Sequence, residues 1–208
     1  MAVFFITGSD TGVGKTHVAG LLAKRLSRDG FTQVIKPVES GAGSGRPADA
    51  LKAAGKHAEP HTLISFAAPI APLAAAKKAG KKLDLATLLK LYKAVPSAPC
   101  RVVEGAGGIA VPLDPKGKDW ADFAAAIKPM AVIIVVEDRL GAINQARLAV
   151  AYLRRRYDGP VGVWLNAIRK PSAAVAASNR AGLVDSWIPL LGESARGAKS
   201  ARFYFLPQ

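Results

Sequence analysis

The apolar and polar positions of this chain change period repeatedly, in segments too short for any element but strands and modest helices. Val3–Ile6 is a continuous apolar run that gives way to glycine and small polar residues, and His17–Leu26 then places Val18, Leu21, Leu22 and Leu26 at helical spacing. Asp29-Gly30 closes that helix. Thr32–Ile35 reads as a short strand stopped by Lys36-Pro37, and Ser40–Pro47, with four glycines or prolines in eight residues, reads as loop. Asp49–Ala54 fits a short helix. Pro60–Pro72 is apolar but broken by proline, which predicts irregular structure and turns. Leu83–Tyr92 is helical with Asp84 as its N-cap. Arg101–Val103 is a brief buried strand, and Asp119–Ile127 a helix. Ala131–Val136 is β-branched and continuous, as a strand covered on both faces requires. Gly141–Tyr157 predicts a long helix, Val161–Asn166 a strand, Ser172–Val184 a weaker helix and Ile188–Leu191 a last strand.

Strands that alternate with helices predict βαβ units, hence an α/β fold with a mostly parallel sheet and helices on both faces. Ligands of such sheets sit at the carboxyl ends of the strands. The notable loops here all follow strands: Gly8–Lys15, Lys36–Gly41, Glu104–Gly108, Glu137–Gly141 and Asn166. They are expected at one edge of the sheet. No internal repeat or interdomain linker interrupts the pattern, so a single domain over residues 1–208 is expected.

Composition narrows the class. With 208 residues, 50% apolar and 21% charged, the chain can bury a real core and does not read as disordered. A lone cysteine, Cys100, permits no internal disulfide and no cysteine zinc cluster. It is expected to be a small core residue in a reducing, cytoplasmic setting. Met1 leads into a strand without a basic segment or long apolar run, so no signal peptide is expected, and Ala131–Val136 is far too short to span a bilayer. The formal net charge of +14 raises the question of nucleic acid. Lys and Arg are spread along the chain, with small clusters at Lys77–Lys82 and Arg154–Arg156 and no interleaved aromatic residues for stacking, which favours a solvated basic surface that attracts anionic small molecules. His17, His57 and His61 lack metal-ligand spacing and read as surface residues.

The candidate chemistry lies in Val3–Thr16, VFFITGSDTGVGKT. Strand, glycine loop and helix is the arrangement that cradles phosphate, because free N–H groups and the helix dipole face the anion. Lys15 reaches toward outer phosphates and the Thr16 hydroxyl suits Mg²⁺. The first glycine of the loop, Gly8, lies one place earlier than the common G-x-x-x-x-G-K-[ST] spacing. Glu104 ends a short strand ahead of Gly105-Ala106-Gly107-Gly108, and a carboxylate there can share Mg²⁺ with phosphate oxygens. Thr16 and Glu104, together with Asp49, form a candidate metal set. Lys36 leaves a strand end beside the phosphate loop, where it is either a surface lysine or a second cation for a transferring phosphoryl group.

Together these stretches resemble the dethiobiotin synthase family over residues 3–192. The resemblance rests on T-G-S-D-T-G-V-G-K-T at 7–16, K-P-V-E-S-G at 36–41, D-A-L at 49–51, V-E-G-A-G-G at 103–108, L-G-A-I-N at 140–144, L-N-A at 165–167 and P-L-L-G-E at 189–193. The longer phosphate loop is a feature of that family. Related partitioning and septum-site ATPases carry a signature lysine where this chain has Asp10. The resemblance implies a P-loop nucleoside-triphosphate hydrolase-like fold and an ATP- and Mg²⁺-dependent ligase of biotin biosynthesis, in which 7,8-diaminopelargonate, CO₂ and ATP give a cyclic urea by way of a carbamate and a carbamic–phosphoric anhydride. It assigns phosphate binding to Gly12, Val13, Gly14, Lys15 and Thr16, catalysis to Lys36, Lys15 and Thr11, metal binding to Thr16, Asp49 and Glu104, and base recognition to Asn166. Ser40, Gly105, Gly107 and Gly108 are implied at the substrate. Leu140 and Asn144, at a helix start, are implied at the substrate's carboxylate tail from the neighbouring subunit of a homodimer. Where the family usually continues with a proline-containing loop after Glu193, this chain has Ser194-Ala195-Arg196-Gly197.

Two other readings compete. One is a different ATPase of the same class, either an amide-forming ligase or a nucleotide switch that binds a protein partner, and Asp10 speaks against the switch. The other is a basic nucleic-acid-binding module, which leaves the Lys36 and Glu104 loops without a purpose.

Overall fold

A computed structural model describes residues 1–43, 45–46 and 48–205. The elements run β1 (Ala2–Gly8), α1 (Lys15–Leu26), β2 (Thr32–Ser40), α2 (Asp49–Ala54), β3 (Glu59–Phe66), α3 (Pro72–Lys78), α4 (Leu85–Ala94), β4 (Cys100–Glu104), α5 (Trp120–Ile127), β5 (Ala131–Glu137), α6 (Ala142–Arg154), β6 (Val161–Ala167), α7 (Ala173–Asp185), β7 (Leu190–Ala195) and β8 (Arg202–Phe203). The strands form one eight-stranded sheet in the order β3-β2-β4-β1-β5-β6-β7-β8. Every neighbouring pair is parallel except β7 with β8. This is the mostly parallel α/β sheet expected from the alternating pattern, in the P-loop nucleoside-triphosphate hydrolase-like form that the resemblance implies.

The strict alternation of a strand sends successive side chains to opposite faces. On β1, Phe4 and Ile6 pack with Val18, Leu22 and Leu26 of α1 and with Ala50 and Ala53 of α2. Val3 and Phe5 pack on the other face with Leu88 and Tyr92 of α4, Trp120 and Phe123 of α5, and Ala146 and Leu153 of α6. Both faces are covered, which is why β5 is apolar at nearly every position. The helix starts follow local chemistry. Asp84 accepts from Thr87 N at the head of α4, and Asp119 forms a capping box with Asp122 at the head of α5.

Four expectations need correction. First, β2 does not stop at Lys36-Pro37 but runs on to Ser40. Beyond Ile35 it pairs only with β3, so the N–H that Pro37 lacks costs no ladder bond to β4. Second, Pro60–Pro72 is not irregular throughout. It contains most of the edge strand β3, where Pro60 is tolerated, and Pro72 occupies the first helical position of α3, where its missing N–H is not needed. Third, Ile188–Leu191 is not the last strand: β7 starts at Leu190, and a short antiparallel β8 follows it. Fourth, Cys100 is half-buried at the start of β4 and not a core residue. The Ser40–Pro47 loop expectation includes Ser44 and Pro47, which lie outside the described residues.

Register brings the site together. Ile6 of β1 pairs with Glu104 of β4 on one side and with Ile133 of β5 on the other. The strand ends on either side of the phosphate loop are therefore fixed by the central ladder. No helix among the described residues is long and apolar enough to cross a membrane.

Candidate active site

The phosphate loop leaves β1 at its carboxyl end and enters α1 at Lys15. Gly12 and Gly14 have φ of 79° and 94°, a left-handed backbone that glycine adopts without strain. A Cβ on Gly14 would also run into Asn166 Nδ2, so no larger residue fits there. The loop is tied to its neighbours by Ser9 N donating to Val135 O (3.0 Å) and Ile109 N to Gly8 O (3.0 Å). Asp10 serves the loop itself, since Thr11 N donates to its Oδ1 (2.6 Å) and Lys15 Nζ to its carbonyl (2.8 Å). Lys15 is only 7% exposed. Burial brings its ammonium down to about pKa 8, helped by Lys36, while Glu104, Asp10 and Asp49 pull the other way.

A second centre sits where β2, α2 and β4 converge. Lys36 Nζ lies 2.6 Å from Glu104 Oε1 and 2.9 Å from Asp49 Oδ2. Thr16 Oγ1 donates to the same Glu104 oxygen at 2.8 Å. Lys36 and Glu104 are 3% and 1% exposed, so this is a buried ion cluster and not a surface pair. Burial alone would lower the Lys36 pKa, but the carboxylates of Glu104 and Asp49 outweigh it and hold the ammonium above the usual lysine range. Lys36 sits within β2, paired with Thr62 of β3. Asp49 is set in turn by Glu39, whose Oε1 accepts from Asp49 N at 2.9 Å where α2 begins. Trp120 Nε1 donates to Ala106 O (2.7 Å) and pins the glycine turn after Glu104.

A cleft of about 1140 Å³ opens over these groups. Thr11, Gly12, Gly14, Lys15, Thr16, Lys36, Ser40, Asp49, Glu104, Gly107 and Asn166 all line it. Val13, Gly105, Gly108, Leu140 and Asn144 are not in its wall. Val13 is buried and its carbonyl accepts from Asn166. Gly105 packs against Phe5 and Trp120, and Gly108 against the backbone of Gly8 and Ser9. Leu140 is 81% exposed, and Asn144 is exposed on the first turn of α6. Sequence reasoning gave no role to several wall residues, among them His17, Lys24, Lys52, Ile168, Arg196 and Lys199. Arg196 and Lys199 stood in plain view as basic tail residues, but nothing local indicates that the tail folds back, with Lys24 Nζ donating to Lys199 O (3.0 Å) and His17 Nε2 meeting Ala195 O (3.0 Å).

Two buried oxygens in this region have no hydrogen-bond partner, Glu104 Oε2 and Ser40 Oγ. Glu104 has one unpartnered oxygen, its other oxygen accepts from the Thr16 hydroxyl, and Asp49 is joined to it through Lys36; these hard oxygens fit Mg²⁺. No group of three His, Cys, Asp or Glu side chains among the described residues could hold a metal alone. The set fits a cation that takes its remaining ligands from phosphate and water.

The fold and this site define a P-loop nucleotide-binding protein. Among solved structures, a putative plasmid partition protein of Borrelia burgdorferi bound to AMPPNP aligns over 95% of this chain and 87% of its own, with a TM-score of 0.58 and 14% identity. The MinC:MinD cell division complex of Aquifex aeolicus aligns over 96% and 83%, with a TM-score of 0.56 and 14% identity. These likenesses establish the fold. A family model described as AAA domain matches residues 2–193. The ATP-dependent dethiobiotin synthetase of Anaeromyxobacter dehalogenans is 40% identical over 173 residues, 80% of this chain and 77% of its own. The enzyme of the same name from Akkermansia muciniphila is 33% identical over 95% of this chain and 93% of its own, and that from Nitrosospira multiformis 37% identical over 91% and 86%. The chain belongs to the ATP-dependent dethiobiotin synthetase family, and it is a ligase.

Proposed function

We propose that this protein uses ATP and Mg²⁺ to close 7,8-diaminopelargonate and CO₂ into the cyclic urea dethiobiotin, in the biotin biosynthesis of the cytoplasm, as a single domain in each subunit of a homodimer. The observation that carries the reading is Lys36. A buried lysine paired with two carboxylates, in one cleft with a phosphate loop, supports a second cation at the reaction centre beside the nucleotide.

One amine of the substrate takes up CO₂, losing a proton, and becomes a carbamate. A carbamate oxygen attacks the γ-phosphorus of ATP and ADP leaves, which gives the carbamic–phosphoric anhydride. The neighbouring amine then attacks the anhydride carbon, loses a proton and expels phosphate. None of these steps needs a protein nucleophile, so the protein's contribution is positioning and charge stabilisation. The Gly12–Thr16 amides and Lys15 hold the phosphates. Lys36 moves its charge onto the carbamate and the transferring phosphoryl. The Ser40 hydroxyl, without a partner of its own, and Thr11 meet the diamine and carbamate. Thr16, Glu104 and Asp49 would hold Mg²⁺, which supplies charge neutralisation at the phosphates. Asn166, with Ile168 and the Arg196–Lys199 segment beside it in the cleft wall, faces the base. Leu140 and Asn144 lie outside the wall of their own cleft, which suits a role in the neighbouring subunit's site, where the free N–H groups at the start of α6 would take the substrate's carboxylate.

Phosphate release from ATP with Mg²⁺ and bicarbonate, measured with and without the diamine, tests the proposal. Release that depends on the diamine, with a product of the mass of the cyclic urea, is the expected result. Release independent of the diamine would point to a switch-type ATPase and overturn it.

A further inference from the structure

The cleft does not end at the phosphate loop. On α1 its wall runs from Thr16 past Gly20 and Leu21 to Lys24, and on α2 from Asp49 past Lys52 and Ala53 to His57 beyond the helix. Lys24 follows Thr16 by two helical turns, so it stands about 12 Å farther along the axis than the loop that suits a triphosphate. The floor of this arm is made of small residues. α1 and α2 meet at Gly20, where a Cβ would come within 3.1 Å of Ala53 O. The returning tail bounds the other side, with Lys199 O accepting from Lys24 Nζ at 3.0 Å.

The charges of the cleft are lopsided. Six lysine or arginine side chains line it, against two carboxylates, Asp49 and Glu104. Both carboxylates already pair with Lys36. Lys15 belongs to the phosphate loop. That leaves Lys24, Lys52, Arg196 and Lys199, with His57, in a part of the described wall that has no acidic side chain. The side chains of Lys52, Arg196 and Lys199 form no hydrogen bond or ion pair with any described residue. Lys24 donates only to a carbonyl. Cations of one sign on the walls of a cleft focus their field and concentrate a counter-ion there.

We propose that this arm is a second oxyanion subsite, which takes a phosphate dianion on Lys24 and Lys52, with His57 and Lys199 beside them, while a triphosphate occupies the loop. An ammonium offers several donors, and a phosphate group brings more acceptor oxygens and more charge than a carboxylate. Two sources share this chemistry. One is free inorganic phosphate, which the proposed reaction releases in the same cleft. The other is a phosphate group carried on the ribose of a nucleotide. The inference goes beyond the proposed reaction and takes from it only that the loop binds a triphosphate.

The test is calorimetric titration of inorganic phosphate onto the full chain with the loop filled by Mg·AMPPNP. One further phosphate is expected to bind. Lys24→Gln and Lys52→Gln are each expected to weaken it by ~10-fold or more, the worth of one charge-assisted hydrogen bond, and Lys52→Arg to keep it. A second arm compares ATP bearing a 3′-phosphate with ATP itself. Tighter binding that is lost in Lys52→Gln assigns the subsite to a nucleotide-borne phosphate, and phosphate binding without such a gain assigns it to the free ion. No phosphate bound and no gain from the 3′-phosphate would overturn the subsite. Lysines that only complement the carboxyl ends of α1 and α2 would lower the melting temperature when replaced and leave phosphate binding unchanged, which overturns it as well. A failure of Mg·AMPPNP to bind counts against the loop reading alone, because phosphate titrated onto the nucleotide-free chain and its Lys52→Gln variant still reads the arm. Thermal melts show whether each variant is folded, and the exposed Lys52 carries the test if Lys24→Gln loosens the tail.

Discussion

At the scale of single residues, the ammonium groups of the two site lysines are shifted in opposite directions. Lys36 has two carboxylates within 3 Å, whereas Lys15 donates to the Asp10 carbonyl. Lys36→Ala is expected to cost about 10²–10³-fold in turnover, the usual loss when one preorganised donor to a developing charge is removed. Unchanged turnover would remove Lys36 from the chemistry. The same variant leaves Glu104 and Asp49 facing each other without a cation, so its melting temperature is expected to fall and to rise more with Mg²⁺ than that of the parent. Lys15 makes a separate prediction. Burial sets its folded pKa at about 8, below the 10.5 of a free lysine. Between those values the unfolded chain holds a proton that the folded chain has lost, so the stability of the unliganded protein rises with pH across that window. A bound triphosphate restores the charge. Calorimetry at about pH 9 in two buffers of different ionisation heat is expected to show proton uptake on ATP binding, absent in Lys15→Met.

At the scale of elements, the site depends on where secondary structure starts and stops. α2 is only six residues long and has no side-chain cap of its own; Glu39 of β2 supplies one from outside by accepting from Asp49 N. Glu39→Ala removes that bond, and a lost cap costs about 1 kcal/mol. The expected result is a modest drop in melting temperature with a larger loss of Mg²⁺-dependent activity, because Asp49 no longer has a fixed start to its helix. Glu39→Gln keeps an acceptor and is expected to recover most of the loss. The K-P-V-E-S-G stretch is legible in the sequence as a site segment, although its first five residues belong to β2 and not to a loop. The role of Glu39 is not, since it needs α2 to lie against β2. The same applies to Pro37. Proline reads as a strand stop, and only the end of the β4 ladder at Ile35 shows why it is tolerated.

At the scale of the whole molecule, the formal net charge of +14 comes from Lys and Arg spread along the sequence. A gel shift across salt is expected to show no nucleic-acid binding, whereas a nucleic-acid-binding module would show binding that falls with salt along a log–log slope set by the number of phosphates contacted. Sedimentation is expected to give twice the subunit mass of 21.7 kDa. Substitution of the exposed Asn144 is expected to raise KM for the diamine and leave that for ATP unchanged. A monomer, or an Asn144→Ala variant indistinguishable from the parent, would place the carboxylate of the substrate elsewhere.

Local patterns determined the class of the fold, the phosphate loop and the order of most elements, because hydrophobic period, caps and glycine loops act over a few residues and are written in consecutive positions. They also placed Lys15 and Thr16 at the helix start after the phosphate loop and Glu104 at a strand end, while Lys36, read there as a strand end, lies within β2. Tertiary structure alone decided that Lys36 lies between Glu104 and Asp49, that the tail returns to the cleft wall, and that Trp164, Ser194, Asn166 and Val13 form one bonded line. Those contacts join residues separated by 30 to 153 positions where the bonds are longest in sequence, as from Trp164 to Ser194 and from Val13 to Asn166. No local pattern encodes them. They follow from sheet register and from the packing of β8 against Trp164, which exist only once the chain is folded.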